Sequence, residues 1–557
     1  MGTPQIPSVD SDTKQFPDAV RQRIATNLKS PGSVEGDAIG SRIAPLAPSN
    51  SPALTGTPSI NGKAIGADSL FAGSIIVADR GNSFTGGNSS FSNGTDTQAY
   101  ARTMHRFTYA AASIRLVFNN YTQDAPNSNP ITVSAVVAPG VAAATASDSR
   151  TVPVTFGGSA SVTIPGGGTV VSDVIPLTFS AGQIMYARTS VSATSGGKWP
   201  TGMITQTGLS EGLVSGTTVT PGYLATSSPT NIPASYTRVY SPALILGKPS
   251  PVLGKPAAAP MVLGVGDSIM AGVGDPYDDR GFFRVACRKA GVAFSDLGSP
   301  GATADVYLKQ FWVKGAIMTA PFDYVVTELG SNDCSALLPF ATIQSNMIAW
   351  WLNVAAHGHR IVQTTITPRS NSTDNWQTTD NQTALSGYAD LRNQLNAWIR
   401  AGAPLTASFN AAAIGQGAYV IGQPGHPLTD WFELADIVEN GRDTNVWKPP
   451  QGRSLQVSGT AGGSSLDTSS TVFTAADTGE TLFVVGAGSS DNSKSAIFNI
   501  TGNSNGGTRA SVQGIVLGSV SNATANIGHM TIDGIHPSPT AHRMIADALA
   551  VKLSTMV

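Results

Sequence analysis

The stretch MVLGVGDS at residues 261–268 decides the fold of the carboxyl-terminal half of the chain. Five apolar or small residues run directly into a Gly-Asp-Ser turn, which is the pattern of a buried strand followed by a tight turn. YVVTELGSND at 324–333 repeats the plan, and RIVQTTITP at 360–368 is a third continuous apolar strand. Continuous apolar runs of this kind are typical of parallel strands covered on both faces.

Helical stretches lie between or after these strands. Apolar residues recur at three- and four-residue spacing in 341–358 and 388–402, and a last helix is predicted from Thr540 to about Ser554. Strands alternating with helices predict an α/β domain with a parallel sheet. We place this domain at 261–450 and 529–557. Short strands and Gly turns predict a small inserted β domain at 451–528.

The composition favours β-rich domains with many turns. The 557 residues include 60 Gly and 35 Pro, charged residues make up 12%, and the net charge is −2. This length predicts several domains. A net charge near zero argues against a nucleic-acid partner, whose phosphates must be neutralised. No apolar run reaches the roughly 18 residues that cross a bilayer, so we expect no membrane partner. Cys287 and Cys334 alone offer no disulfide framework.

The first half of the chain is predicted to contain three units. Residues 1–65 are an amino-terminal helix and linker, because apolar residues recur every four positions at Phe16, Val20, Ile24 and Leu28 ahead of a Pro-, Gly- and Ser-rich stretch. That helix either packs on its own chain or docks into a larger assembly. Residues 66–245 show short strands separated by turn residues, as in a β-sandwich or jelly roll. Residues 246–260 form a Pro-rich linker.

Polar residues that can carry chemistry follow the predicted strands. Ser268 ends the first parallel strand, and Asn332 stands in the Gly-Ser-Asn-Asp turn after the strand YVVTEL. Gly301 lies in the turn LGSPGAT, and Asp533 and His536 lie in DGIHP just before the last helix. The carboxyl ends of strands in an open α/β sheet are where ligands bind. We also expect the amide of Ser268 to begin the next helix.

This combination resembles the SGNH/GDSL hydrolase superfamily. The matching blocks are GDSIMAG, the Gly301 turn, GSND and DGIHPSPTAH, and they occur in the family's order. The departure is the long interval between Asn332 and His536, which the inserted segment accounts for. The resemblance implies a three-layer α/β domain with a flavodoxin-like parallel sheet.

The resemblance also implies a serine esterase, and the residue types suit that chemistry. Ser268 is expected to be the nucleophile, His536 the general base and then acid, and Asp533 the group that orients the imidazole. The family's oxyanion hole corresponds here to the backbone N–H groups of Ser268 and Gly301 and the side-chain amide of Asn332. We expect no cofactor and no metal.

Each of these residues has an ordinary alternative role. Ser268 alone would more often cap a helix, and Asn332 would be a turn residue. Asp267 and Asp333 are interpreted as supports of their turns. His357 and His359 have a spacing seen in metal sites, but no Cys, Asp or Glu cluster accompanies them, so we interpret HGHR as a solvated helix end.

Weaker resemblances suggest a context. Residues 66–245 resemble a β-sandwich found ahead of some bacterial SGNH esterases, and TVFTAADTGETLFVVGAGSS resembles small β modules of phage tail proteins. The amino terminus, MGTPQIPSVDSDTKQFP, lacks the basic and apolar regions of a signal peptide. We therefore expect a virion protein of a bacteriophage tail, whose substrate is an acetylated polysaccharide of the host surface. It would bind other tail proteins through its amino-terminal segment and assemble as a homotrimer.

Two alternatives remain open. The chain is a tail fibre or receptor-binding protein with a non-catalytic SGNH scaffold, or it is a secreted, extracellular bacterial lipase or esterase.

Overall fold

The parallel strands predicted from the apolar runs at 261, 324 and 360 are present in a computed structural model of the chain. The structure describes residues 59–60, 63–64, 75–78, 91–122, 127–140, 151–205, 209–219, 222–224, 232–235, 237–249, 260–275, 281–308, 322–356, 358–478, 480–492, 496–513 and 515–556. The predicted helix at Phe16–Leu28 and residues 250–259 of the predicted linker lie outside the described residues.

The amino-terminal half consists of antiparallel strands. They are β1 (Ser59–Ile60), β2 (Lys63–Ala64), β3 (Ile75–Ala78), β4 (Gln98–Arg106), β5 (Ala111–Asn119), β6 (Ile131–Pro139), β7 (Val152–Val154), β8 (Val162–Ile164), β9 (Thr169–Val171), β10 (Ile184–Ser192), β11 (Met203–Ile204), β12 (Gly212–Gly216), β13 (Arg238–Val239) and β14 (Leu244–Pro249). The two larger sheets have the orders β12-β4-β10-β6-β7, with β8 also paired to β6, and β3-β14-β5-β9.

The predicted start of the linker at residue 246 is wrong. Strand β14 continues to Pro249, because Leu246, Gly247 and Lys248 pair with β5 in an antiparallel ladder. Gly247 is required there, since a Cβ at this position would lie 2.6 Å from a Val77 side-chain carbon on the neighbouring strand β3. Strand β14 therefore extends at least to Pro249.

The carboxyl-terminal half alternates strands and helices. Its elements are β15 (Met261–Val265), α1 (Phe282–Ala290), β16 (Ala293–Asp296), β17 (Tyr324–Thr327), α2 (Ser331–Ser335), α3 (Phe340–Ala356), β18 (Arg360–Thr364), β19 (Ser370–Ser372), β20 (Gln382–Ala384), α4 (Tyr388–Arg400), β21 (Asp430–Phe432), α5 (Ala435–Val438) and, at the end of the chain, α6 (Pro539–Thr555).

The five parallel strands have the order β16-β15-β17-β18-β21, which is the doubly wound order of flavodoxin-like sheets. Alternate residues face opposite layers: Leu263 packs with α3 and α4, and Val262 packs with α1 and α6. The strand order reverses at β15, so a crevice opens at its carboxyl end, where Ser268 follows.

A closed six-stranded barrel lies between α5 and α6. Its strands are β22 (Ser454–Gly459), β23 (Ser465–Asp467), β24 (Thr481–Val484), β25 (Ala496–Ser504), β26 (Arg509–Gln513) and β27 (Val520–Ile527), with two short 3-10 turns at Ala475–Asp477 and Asn505–Gly507. The barrel has its own buried apolar cluster. Because it closes on itself, it interrupts the α/β domain without adding a strand to the parallel sheet.

The interpretation of HGHR as a solvated helix end is wrong for His359, while His357 lies outside the described residues. His359 is buried, and its Nδ1 lies 2.9 Å from the carbonyl oxygen of Phe322. The chain turns inward at Gly358, whose φ is +84°. Within the described residues no helix is long and apolar enough to span a bilayer.

The last helix is anchored to the turn that follows β15 through one buried histidine. Ser538 caps α6, with Pro539 in the first turn, where a missing N–H costs nothing. One turn later, His542 Nε2 lies 3.0 Å from Val273 O, and Phe282 N donates to His542 Nδ1 at 3.1 Å. Burial lowers the pKa of His542 to about 4, so the ring is neutral in the folded protein.

We predict that His542 makes stability fall with acid. Its folded pKa lies below the value of about 6.5 expected when unfolded, so the unfolded chain binds more protons between these pH values, and stability is lost as pH falls through this window. His542→Gln keeps one donor and one acceptor but cannot titrate. In denaturant titrations, the free energy of unfolding of the wild-type protein relative to the variant should fall by roughly 2 kcal/mol between pH 7 and pH 5. Parallel pH profiles would contradict this.

Candidate active site

Ser268 lies in a tight turn at the carboxyl end of β15. The turn is held by Ile269 N, which donates to Asp267 Oδ1 at 2.8 Å, and by Val273 N, which donates to Ser268 O at 2.9 Å. The expectation that the Ser268 amide begins a helix is wrong, because residues 268–274 form successive turns and α1 begins only at Phe282. Gly274 has a φ of +102°, and a Cβ there would lie 2.1 Å from Pro537 O, so the turn is packed against the loop of His536.

The structure brings Ser268, His536 and Asp533 into one hydrogen-bonded chain. His536 Nε2 lies 2.9 Å from Ser268 Oγ, across 268 positions of sequence. His536 Nδ1 lies 2.7 Å from Asp533 Oδ2. A carboxylate can only accept, so Nδ1 carries the proton and Nε2 is left to accept the hydrogen of Ser268 Oγ.

Burial alone would raise the pKa of Asp533, but hydrogen bonds outweigh it. The His536 ring and the N–H groups of His536 and Ile535 all donate to this carboxylate and hold its pKa below the usual value. Asp533 is therefore ionised at neutral pH. It both orients the imidazole and favours the charged imidazolium.

The loop that carries His536 is itself rigidly supported. Thr531 Oγ1 donates to His536 O at 2.8 Å and accepts from Gly534 N at 2.9 Å. Trp447 Nε1 donates to Gly534 O at 3.0 Å. Gly534 has a φ of +78°, and a Cβ there would lie 2.1 Å from Ser370 O. Only glycine fits this loop in its observed conformation.

The amide of Asn332 faces the same turn. Its Nδ2 donates to Asp267 Oδ2 at 2.9 Å and to Ala302 O at 3.1 Å. On the other side, Arg369 Nη2 donates to Asn332 Oδ1 at 3.0 Å. The donor and acceptor ends of the amide are therefore distinguished by their partners.

Gly301 lies in the loop that packs on the Ser268 turn. Ser299 N donates to Gly266 O at 2.9 Å, and a Cβ at Gly298 would lie 2.4 Å from Ala271 N. Gly301 has a φ of +82°. Among the described residues, the N–H groups of Gly301 and Ser268 have no hydrogen-bond acceptor. Two backbone N–H groups on these adjoining loops are thus free to donate to a ligand.

Asp333 fastens this loop to the Asn332 turn. Both of its carboxylate oxygens accept from Ala304 N, at 3.3 and 3.2 Å, and burial raises the pKa of Asp333 to about 6. Asp333 thus acts as a turn support.

A second buried carboxyl group lies behind Asp267. Asp267 N donates to Glu328 Oε2 at 3.1 Å, and both side chains are fully buried. Burial and the neighbouring Asp267 carboxylate raise the pKa of Glu328 well above its usual value. Sequence reasoning did not single out Glu328 or Arg369. The only signal was their position at the ends of two apolar strands, YVVTEL and RIVQTTITP.

No group of three or more His, Cys, Asp or Glu side chains converges in a metal-binding arrangement within the part of the chain that the structure describes. Cys287 and Cys334 are buried and not joined in a disulfide.

Comparison with known proteins finds a family match in the α/β domain. Residues 265–414 match the model of the GDSL-like Lipase/Acylhydrolase family. A search of the curated proteins finds no match. Among solved structures, a GDSL-like lipase from Bacteroides thetaiotaomicron is similar at 11% identity, covering 54% of this chain and 93% of that one with a TM-score of 0.27. The lipase/acylhydrolase from Enterococcus faecalis is similar at 17% identity, covering 28% and 89% with a TM-score of 0.20.

The assignment rests on the family match and not on these two structures. Residues 265–414 contain Ser268, Gly301 and Asn332. This region of the chain is therefore similar to the GDSL-like Lipase/Acylhydrolase family, a family of ester hydrolases.

Proposed function

We propose that this protein is a serine esterase that removes O-acetyl groups from a polysaccharide through an acyl-enzyme. The observation that carries the proposal is the continuous chain from Ser268 Oγ through His536 to Asp533, with contacts of 2.9 and 2.7 Å. A nucleophile, a base and an orienting carboxylate in this order can activate a hydroxyl at neutral pH.

In the first half-reaction Ser268 Oγ attacks the acetyl carbonyl carbon. His536 Nε2 takes the hydroxyl proton, and Asp533 stabilises the imidazolium that results. The tetrahedral intermediate then collapses. The bond to the sugar oxygen breaks, and His536 returns the proton to that oxygen, leaving Ser268 acetylated.

The negative charge on the carbonyl oxygen needs donors that are already in place. The N–H groups of Ser268 and Gly301 have no acceptor among the described residues, and Asn332 Nδ2 lies beside the same turn. Such preorganised donors typically contribute about 3 kcal/mol each to transition-state stabilisation.

The second half-reaction uses the same groups. His536 removes a proton from water, the water oxygen attacks the acetyl carbon, and Ser268 leaves with that proton. Acetate is released and the serine hydroxyl is restored, so the cycle needs no cofactor.

A polysaccharide is the proposed substrate because of the surface beside the catalytic loop. Trp376 packs against this loop, since a Cβ at Gly534 would lie 2.5 Å from Trp376 Cζ2. The neighbouring Gln377 is hydrogen-bonded to Asn526 of the barrel. The Asp533 side chain is 42% exposed, so the site is open at this side.

From Asn526 an uncharged polar surface continues across the barrel. We define this polar ladder as Ser454, Gln456 and Ser458 on β22 with Asn522, Thr524 and Asn526 on β27. Ser454 is paired with Asn526, and Gln456 with Thr524, in the antiparallel register. Hydroxyl and amide side chains on the outer side of two barrel strands suit the hydroxyl groups of a neutral glycan.

The viral context is part of the same proposal. The chain would be a bacteriophage tail deacetylase acting at the host surface, attached through residues 1–65 and assembled as a homotrimer. The two-sheet unit before residue 250 would be a carbohydrate-directed accessory domain. This rests on the linker-like composition of 1–65 and on the module resemblances described above.

Ser268→Ala should abolish hydrolysis of a chromogenic acetyl ester, because no other group can form the acyl-enzyme. We expect kcat/KM of Ser268→Ala to fall by roughly 10³-fold or more. We expect Asp533→Asn to lower kcat by roughly 10²-fold or more, because the histidine would lose its orienting carboxylate. Ser335→Ala is the matched control, since Ser335 is exposed in the same domain. An unchanged rate for Ser268→Ala would refute the esterase.

The polar ladder should contribute to the binding of polysaccharide and not to the binding of small esters. Replacing Gln456, Asn522 and Thr524 together by Ala should raise KM for acetylated polysaccharide by roughly 5-fold or more, through lost hydrogen bonds. KM for the chromogenic ester should not change. Ser469→Ala, at an exposed barrel position away from β22 and β27, is the control. Equal effects on both substrates would contradict a glycan surface.

The tail assignment predicts that the polypeptide is found in purified phage particles. Antibody against the barrel should detect it there in an amount that is a multiple of three copies. Its presence only as free protein in culture medium would favour a secreted esterase instead.

A further inference from the structure

We infer that Glu328 and Arg369 are positioning residues that hold the Asn332 amide from its two ends in one orientation, with Nδ2 on the side of the Ser268 turn. The inference rests on the proposed esterase function. Arg369 hydrogen-bonds Asn332 directly, and Glu328 is joined to Asn332 through Asp267, so we expect their effect on the rate to pass through that amide.

Arg369 holds the acceptor end of the amide. Its Nη2 donates to Asn332 Oδ1 at 3.0 Å and to Ser331 Oγ at 2.9 Å. Arg369 is itself buried, and its guanidinium lies 5.0 Å from the centre of the Tyr388 ring. A guanidinium can only donate, so it stabilises the amide orientation that presents Oδ1 and disfavours the flipped orientation that presents Nδ2.

Asp267 holds the donor end. Its Oδ2 accepts from Asn332 Nδ2, and its Oδ1 accepts from Ile269 N. The Asp267 carboxylate accepts both hydrogen bonds without carrying a proton. Because this side chain is fully buried directly before the nucleophile, a neighbouring group must hold it in place.

Glu328 supplies that support. Its Oε2 accepts from Asp267 N at 3.1 Å, which holds the backbone of Asp267 in place. Glu328 Oε1 is buried and has no hydrogen-bond partner among the described residues.

The two carboxyl groups differ in their surroundings. Burial raises the pKa of Asp267, and the Ile269 N–H and the Arg369 guanidinium oppose that rise. Burial and the Asp267 charge both raise the pKa of Glu328.

This arrangement offers a matched pair of variants. Glu328→Gln keeps an acceptor for Asp267 N. Glu328→Met has similar volume and no acceptor. We expect the Gln variant to keep kcat within 3-fold of wild type, and the Met variant to lose roughly 10- to 100-fold in kcat with KM changed less than 3-fold.

Arg369→Met tests the other end and should also lower kcat by roughly 10-fold or more without raising KM. The decisive readout is a double-mutant cycle with Asn332→Ala. If Arg369 and Glu328 act through the amide, their substitutions should change kcat less than 2-fold once that amide is gone. Multiplicative losses in the Asn332→Ala background would overturn the inference, as would equal losses for Glu328→Gln and Glu328→Met.

Thermal unfolding of every variant separates positioning from folding. If Glu328→Met does not fold, the inference is tested by the double-mutant cycle of Arg369→Met with Asn332→Ala and by the activity of Glu328→Gln. The failure of this inference is distinguishable from failure of the esterase. If Ser268→Ala loses activity but the losses in the double-mutant cycles multiply, the esterase stands and only the roles of Glu328 and Arg369 are rejected.

Discussion

The hydrogen bond between His536 Nε2 and Ser268 Oγ joins the two ends of the α/β domain, and the rest of the site depends on it. The two residues are 268 positions apart, and a complete β-barrel lies between them. They meet because β15 and α6 belong to one packed domain. His542 reinforces the contact by tying α6 to the turn after Ser268.

The barrel is tolerated because of where the chain leaves and re-enters the domain. Gln451 N donates to Gly528 O at 2.9 Å, so the two connections run side by side at the base of the barrel. The ends of an insertion that lie this close place little strain on the domain that receives it. The chain re-enters the α/β domain at Gly528, eight residues before His536.

Much of the catalytic half could be predicted from sequence. The runs MVLGV, YVVTEL and RIVQTTITP are apolar throughout because both faces of their strands are covered, and polar residues that follow such strands must meet at one edge. That reasoning led to Ser268 and Asn332. Asp533 and His536 followed from the family's motif and not from periodicity.

Other features could not be read from local pattern. Ser268 does not begin a helix, because Gly274 and the Pro537 carbonyl shape that turn through a tertiary contact. His359 is buried because Gly358 redirects the chain. Glu328 and Arg369 are linked to the site by hydrogen bonds that span 61 and 37 positions, and no spacing rule covers such contacts.

Covalent labelling with a fluorophosphonate, followed by intact mass and peptide mapping, measures whether His536 makes Ser268 nucleophilic. We expect a single adduct on Ser268 in the wild-type protein and almost none when His536 is replaced by Ala. An adduct on another serine, or equal labelling with and without the imidazole, would contradict this role of His536.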